Sequence, residues 1–290
     1  MNTKHLGVIA ILLASIMWAI EPILAKLSYT NSDVFHTSAL RAFVAACTAF
    51  IYILLTKQSS LRVTRQQISP LLYIAFVGTL IADFMYFFAL SKIPVINAVI
   101  LGHMQPVFII AFGFFLLKTD VLTKFDYLGI GLMILSGLLV TTKTMENFIT
   151  LKFGTIGDLI VLIATITWAT AAIVMKKYLT MVNAGVITFY RFFFPSLVFA
   201  AYLGLSSSLY IANMYQVYVG VIIGIGTILY YEGLKRLKTA QVGGLELSTP
   251  FFAALLALLF LNEQITGMQI IGIVTLFGGV YLLSKKEKYP

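Results

Sequence analysis

Apolar stretches of about 20 residues follow one another from Leu6 to Leu283, separated by short polar or charged interruptions. About 20 apolar residues in a helix, at a rise of ~1.5 Å each, cover the hydrocarbon of a bilayer. The pattern predicts ten spanning helices, over 6–28, 34–55, 70–90, 95–117, 126–145, 155–175, 184–204, 213–234, 239–261 and 266–284. The longest interruptions, around Thr56–Ser69 and Glu146–Gly154, are read as loops, leaving no stretch for a soluble domain. Met1–His5 carries one Lys and no small-residue cleavage site, so Leu6 onward is read as a permanent span rather than a removed signal. The expected fold is all-α and integral to a membrane.

The pattern also repeats. "SIMWAIEPILAKLSYT" (Ser15–Thr30) and "TITWATAAIVMKKYLT" (Thr165–Thr180) align at an offset of 150, which also places Arg41 over Arg191 and Ser38 over Thr188. Further on the offset is 144, with "YFFALSKIPVINA" (Tyr86–Ala98) over "YYEGLKRLKTAQV" (Tyr230–Val242) and Pro106 over Pro250. Residues 1–150 and 151–290 therefore read as two versions of one five-helix unit. Five is odd, so the second unit enters the membrane from the opposite side, and inverted repeats are a transporter architecture with a site near the midplane where the halves meet.

Composition agrees with a membrane protein: 60% of residues are apolar and 11% charged. The net charge of +9 is explained by where the cations fall. Fourteen lie on the side of the N-terminus: Lys4, Lys57, Arg62, Arg65, Lys118, Lys124, Lys176, Lys177, Lys235, Arg236, Lys238, Lys285, Lys286 and Lys288. Four lie opposite, Lys26, Lys92, Lys143 and Lys152, and Arg41 and Arg191 lie within spans. The positive-inside rule then puts both termini in the cytoplasm of a multi-pass cell-membrane protein, and the basic balance requires no nucleic acid. Cys47 is the sole cysteine, which excludes an intramolecular disulfide and a thiolate metal cluster. No metal motif or phosphate-cradling glycine loop is present, so no metal or cofactor is expected, and an integral-membrane enzyme acting at the interface is the weaker alternative.

The chain resembles the drug/metabolite transporter superfamily, EamA type. The likeness covers nearly the whole sequence. It is carried by the Trp-bearing first helix of each half (Trp18, Trp168), the Arg of each second helix (Arg41, Arg191) and the segments "ALSKIPVINAVILGHMQPVF" and "GLKRLKTAQVGGLELSTPFF". The ending "LNEQITGMQIIGIVTLFGGVYLL" is similar to the family's last helix; Asp120 stands in the first half where the second has Glu263. The resemblance implies a basket of ten helices, a substrate cavity between the halves, and movement of small organic solutes such as amino acids and other metabolites. A homodimer is compatible with it.

Ionisable groups inside spans cost about 2.5–3.5 kcal/mol each at a helix centre, so they are expected to face water, a partner or a substrate. Glu21 follows Trp18 by three residues on one face, and Pro22 is expected to kink the helix beside it; Ala171 and Ala172 occupy the matching positions. Glu21 reads as a cation site or proton carrier, or as the partner of Arg41. Asp83 shares a helical face with Thr79 and Tyr86 and is matched by Thr227, while Glu246 is matched by Gly102 and Thr249 by Gln105. The solute-binding candidates are Trp18, Glu21, Asp83, Tyr86, Gln105, Trp168, Tyr230, Glu246 and Thr249. Glu21, Arg41, His103 and Arg191 are candidates for coupling or structural charge, His103 because its ordinary pKa suits a coupling proton. Pro22, Pro106 and Pro250 are candidate kinks.

These residues predict a secondary active transporter of small organic solutes, foremost amino acids or related metabolites, working by alternating access. Three acids in reach of one cavity would favour a cationic or zwitterionic cargo. Proton-coupled efflux of cationic drugs or amines is the alternative, and a neutral sugar is compatible with the same scaffold.

Overall fold

The structure, a computed structural model, describes residues 3–56, 61–112, 124–150, 154–179, 181–205, 210–237, 242, 245–246 and 248–284; the side chains of 3, 4, 106, 110, 126, 176, 283 and 284 lie outside the description. Asp120 and the cations Lys57, Lys118, Lys152, Lys238, Lys285, Lys286 and Lys288 also fall outside it. The described residues form helices throughout: α1 (Thr3–Ser28), α2 (Val34–Thr56), α3 (Arg65–Tyr73), a π-helical segment (Ile74–Asp83), α4 (Phe84–Leu90), α5 (Val95–Gly102), α6 (Gln105–Phe112), α7 (Lys124–Thr142), α8 (Met145–Ile149), α9 (Ile156–Tyr178), α10 (Ala184–Leu205), α11 (Met214–Arg236), α12 (Ser248–Leu261) and α13 (Gly267–Ser284).

Among the described residues six helical stretches are long and apolar enough to cross a bilayer, including the continuous run Arg65–Leu90, and four shorter apolar helices accompany them. Large apolar side chains face outward, including Phe43, Leu54, Phe251 and Val274, each more than half exposed. In water such a surface would be costly; in lipid it is the solvated face.

Three details depart from the periodic pattern. The third span carries ten π-helical residues, Ile74–Asp83, whose wider turns shift every side chain after them relative to an α-helix. The fourth is broken by a turn at His103–Met104. The loop expected around Glu146–Gly154 contains most of the short helix α8, capped by Thr144, whose hydroxyl accepts from the Asn147 N–H at 3.2 Å.

The three prolines expected at kinks all lie in helices. Pro106 is the second residue of α6, beyond the break, where its missing N–H has no helical partner to lose. Pro250 is the third residue of described α12. Helix α1 continues through Pro22, which is buried.

Packing links the two sequence halves more than it closes each one. α1 packs along α11, α2 along α10 and α11, and α9 along the π-helical segment, α4, α5 and α6. The offset of 150 relates α1 to α9, so related helices choose related partners in the opposite half. Small residues bring the backbones together: a Cβ added to Gly220 would lie 2.9 Å from the Arg41 carbonyl, and one on Gly224 would lie 3.2 Å from the Ala45 carbonyl. This Gly-x-x-x-Gly spacing on α11 is the close-contact device of membrane helix pairs. α7 and α13 form a separate pair, tied by the Ser136 hydroxyl donating to the Gly272 carbonyl at 2.6 Å.

Candidate functional site

Where α1, α2, the π-helical segment and α10 converge, four ionised side chains meet inside the protein. Arg41 donates from Nε to Glu21 Oε1 at 2.7 Å and from Nη1 to Asp83 Oδ2 at 3.0 Å. Arg191 donates from Nη2 to Asp83 Oδ1 at 3.4 Å, from Nε to the Thr79 hydroxyl at 3.0 Å, and from Nη1 to the Tyr231 hydroxyl at 3.4 Å. Two carboxylates face two guanidiniums, and the cluster is neutral. Side-chain exposure is 5% for Arg41, 10% for Glu21, 4% for Asp83 and 19% for Arg191, so Arg191 is the member nearest to open space.

Aromatic rings complete the walls. The Arg41 guanidinium lies 4.6 Å from the Phe87 ring centre and 5.3 Å from that of Phe192, and Arg191 lies 5.4 Å from Phe192. A planar, weakly hydrated guanidinium tolerates such surroundings far better than an ammonium, which explains Arg rather than Lys at both positions. Trp168 donates its indole N–H to Asp83 Oδ1 at 2.7 Å, sharing it with the Gly78 carbonyl at 3.1 Å. The approach depends on Gly78, where an added Cβ would sit 3.2 Å from the Ala171 side chain. The π-helical turns are what aim Thr79, Asp83 and the Gly78 carbonyl at these two partners together.

The four aromatic candidates form two pairs, each with one ring from either half. Trp168 packs on Tyr86 with ring centres 5.1 Å apart and planes at 46°, and Trp18 packs on Tyr230 at 4.9 Å and 47°. Glu246 lies by the second pair, with the Tyr230 hydroxyl facing its carboxylate. Among the described residues Glu246 Oε1, Thr249 Oγ1, Thr227 Oγ1 and Ser38 Oγ are buried without a hydrogen-bond partner. Gln105 is half-buried at the start of α6, outside the charge cluster. His103 holds Nδ1 2.7 Å from the Val99 carbonyl of its own helix, which ties its ring to the break. Of the three acids expected within reach of one cavity, Glu21 and Asp83 are held by guanidiniums, and Glu246 has no ion pair among the described residues.

The two ends of the molecule differ. At one end, Lys26 binds Glu263 at 2.7 Å, and both Glu263 oxygens accept from the Val95 N–H at 3.0 and 2.9 Å, satisfying the start of α5. Nearby Asn97 joins Asp158 at 3.0 Å and Gln269 at 2.9 Å, and Asn213 donates to the Ser28 carbonyl at 3.0 Å. Each of these contacts joins residues below and above 150. Asp33 caps α2 at this end. Burial raises its carboxyl, but hydrogen bonds from the His36 N–H and ring outweigh that and hold it below the usual range. No spacing in the sequence marks these polar groups as cross-links; only the Glu263 position stands out, by resemblance.

At the other end a cavity of about 450 Å³ is lined by Met175, Leu179, Met181, Ile187, Tyr231, Leu234 and Lys235. Its mouth includes the exposed Lys235 and Met181. Tyr231, whose hydroxyl accepts from Arg191, brings its wall to the charge cluster.

Residues 5–142 and 155–285 each match the EamA-like transporter family. A relative from Synechocystis, named an uncharacterized transporter, is 28% identical over 237 residues, spanning 76% of this chain and 66% of its own length. An uncharacterized transporter of Methanothermobacter thermautotrophicus is 24% identical over 96% of this chain and 85% of its own. The protein named "Probable amino-acid metabolite efflux pump" of Escherichia coli is 24% identical over 95% of this chain and 93% of its own. One solved crystal structure shares the fold with a TM-score of 0.69 at 17% identity, covering 96% of both chains. With the family matched over nearly all its length, the chain belongs to the EamA-like transporter family.

Proposed function

We propose that this protein is a secondary active transporter of small organic solutes, foremost amino acids or related metabolites, working by alternating access in the cell membrane with both termini cytoplasmic. Ten helices act as two inverted five-helix units, 1–150 and 151–290, and the solute binds between them along Trp18, Tyr86, Trp168 and Tyr230. The observation that carries the reading is the asymmetry of the ends. Cross-links such as Lys26–Glu263 lace one end, while at the other a cavity is lined by residues of the second half, among them Tyr231, whose hydroxyl accepts from Arg191. That is the arrangement of a carrier closed on one side and accessible from the opposite one.

The charge cluster suits a pivot for such motion. Because it is neutral, it can pass between two arrangements without exposing net charge to lipid, and its members come from α1, α2, the π-helical segment and α10. Amino-acid cargo is supported by the likeness to the efflux pump of Escherichia coli and by the presence of guanidinium and carboxylate groups beside aromatic walls. Energy would come from a gradient or from exchange. Proton-coupled efflux of amines is favoured over amino-acid transport by one observation alone, the Glu246 Oε1 that has no hydrogen-bond partner among the described residues.

The test is counterflow in proteoliposomes loaded in turn with each amino acid, polyamines and sugars, with and without a pH gradient. The reading expects saturable counterflow of one or more amino acids. Equal, unsaturable leak for all solutes would refute it.

A further inference from the structure

The two Trp–Tyr pairs match in geometry and differ in charge. Beside Trp168 and Tyr86, Asp83 is neutralised by Arg41 and Arg191. Beside Trp18 and Tyr230, the position equivalent to Asp83 is Thr227, and its buried hydroxyl has no partner. An acid is nevertheless present there, supplied by a different stretch of chain: Glu246.

Its direction can be read from the repeat. The equivalent of Glu246 is Gly102, and a Cβ built on Gly102 would lie 3.6 Å from Trp168 and 3.8 Å from Tyr86. A side chain at this position therefore points at an aromatic pair. Glu246 follows the same rule, since the Tyr230 hydroxyl faces it, and Ser15, one turn before Trp18, donates to the neighbouring Leu245 carbonyl at 3.5 Å. Its Oε1 is buried without a hydrogen-bond partner among the described residues. A half-buried carboxylate with one covered oxygen and no ion pair among the described residues is costly, and a carboxylate beside a Trp–Tyr pair is chemistry that suits an ammonium group.

Building on the transport reading above, we propose that Glu246, Trp18 and Tyr230 form a second, un-neutralised site that takes the primary ammonium group of the solute. Tyr230 also touches Tyr231, with ring centres 5.7 Å apart, and Tyr231 accepts from Arg191.

The test uses the purified full-length protein in detergent with three probes: phenethylamine, L-phenylalanine and 3-phenylpropionate, which lacks the amine. Phenethylamine and L-phenylalanine should raise the thermal midpoint in a saturable way, and 3-phenylpropionate should not. Glu246→Gln should keep its own midpoint and raise the half-saturating amine concentration at least tenfold, while Glu246→Asp should recover part of the binding and covers the case of a misfolded Gln variant. An amine shift that survives Glu246→Gln overturns the site. So does a wild-type protein blind to both amines, which is what a site for a proton alone predicts. Amino-acid counterflow on the same preparation separates the two ideas: counterflow unchanged by Glu246→Gln sinks the site and leaves transport standing, whereas absent counterflow with Glu246-dependent amine binding sinks transport and leaves the site.

Discussion

Replacing Arg41 by Met removes one guanidinium from two buried carboxylates. At an effective dielectric of about 20, each contact at about 4 Å between charge centres contributes about 4 kcal/mol, so the gross loss is about 8 kcal/mol. The net loss is smaller, because desolvation opposes the attraction and the orphaned acids can escape by taking protons. Asp83 retains Arg191 at 3.4 Å and the Trp168 N–H at 2.7 Å, so Glu21 is the group left bare. Protonating an ordinary glutamate at pH 7 costs about 3.7 kcal/mol, which is about 2.7 pH units at about 1.36 kcal/mol each. Arg41→Met should therefore destabilise by about 3–4 kcal/mol at pH 7, within the range for breaking a buried pair. The sign of the pH dependence follows from the proton taken up: the penalty shrinks as pH falls. Glu21→Gln in the Arg41→Met background should restore most of it. The assay is reversible unfolding in mixed micelles at pH 7.0 and 5.5. A single variant as stable as the wild type, a penalty independent of pH, or a double variant whose losses simply add would refute the reasoning.

Other parts of the structure give their own expected outcomes. Trp168→Phe keeps the ring and removes the N–H to Asp83 and Gly78, so it should cost about 1.5–3 kcal/mol in the same assay, while no loss would mean the indole is packing alone. Gly220→Ala, which drives a Cβ into α2, should destabilise, whereas Gly131→Ala, with open space around it, should gain about 0.5–1 kcal/mol; equal effects would disprove the tight α2–α11 contact. Asp33→Ala should cost about 1 kcal/mol at pH 7, and the difference from wild type should vanish as pH falls through the depressed native value of that carboxyl. Lys26→Met should loosen the laced end: with Cys47 replaced by Ala, a cysteine at buried Ile96 should react faster with a membrane-impermeant maleimide, and an unchanged rate would remove Lys26–Glu263 from the closure.

Helix positions were legible from the chain because about 20 apolar residues can do little else in a bilayer, and the internal repeat pointed to Trp18, Trp168, Tyr86 and Tyr230 as equivalent residues. Their pairing across the halves was not legible, since a repeat relates residues without saying which ones touch. The π-helical turns escaped because Thr79, Asp83 and Tyr86 are spaced as an α-helix also allows. Glu21 carried two readings, a free acid or the partner of Arg41, and only the position of α2 against α1 decides between them. The laced end was hidden for a simpler reason: Asn97, Asp158 and Gln269 are ordinary polar residues near helix ends, and no spacing links positions more than 60 residues apart.

On the transport proposal, solute moves through the region where the buried charges and the paired aromatics meet. Asp83→Asn tests it most directly, because Asn keeps the shape and an acceptor for Trp168 while removing the charge shared by Arg41 and Arg191. In proteoliposomes containing equal amounts of folded protein, amino-acid counterflow should fall at least tenfold. Counterflow at the wild-type rate from a folded Asp83→Asn protein would contradict the account, leaving the cluster as scaffold and placing the route elsewhere.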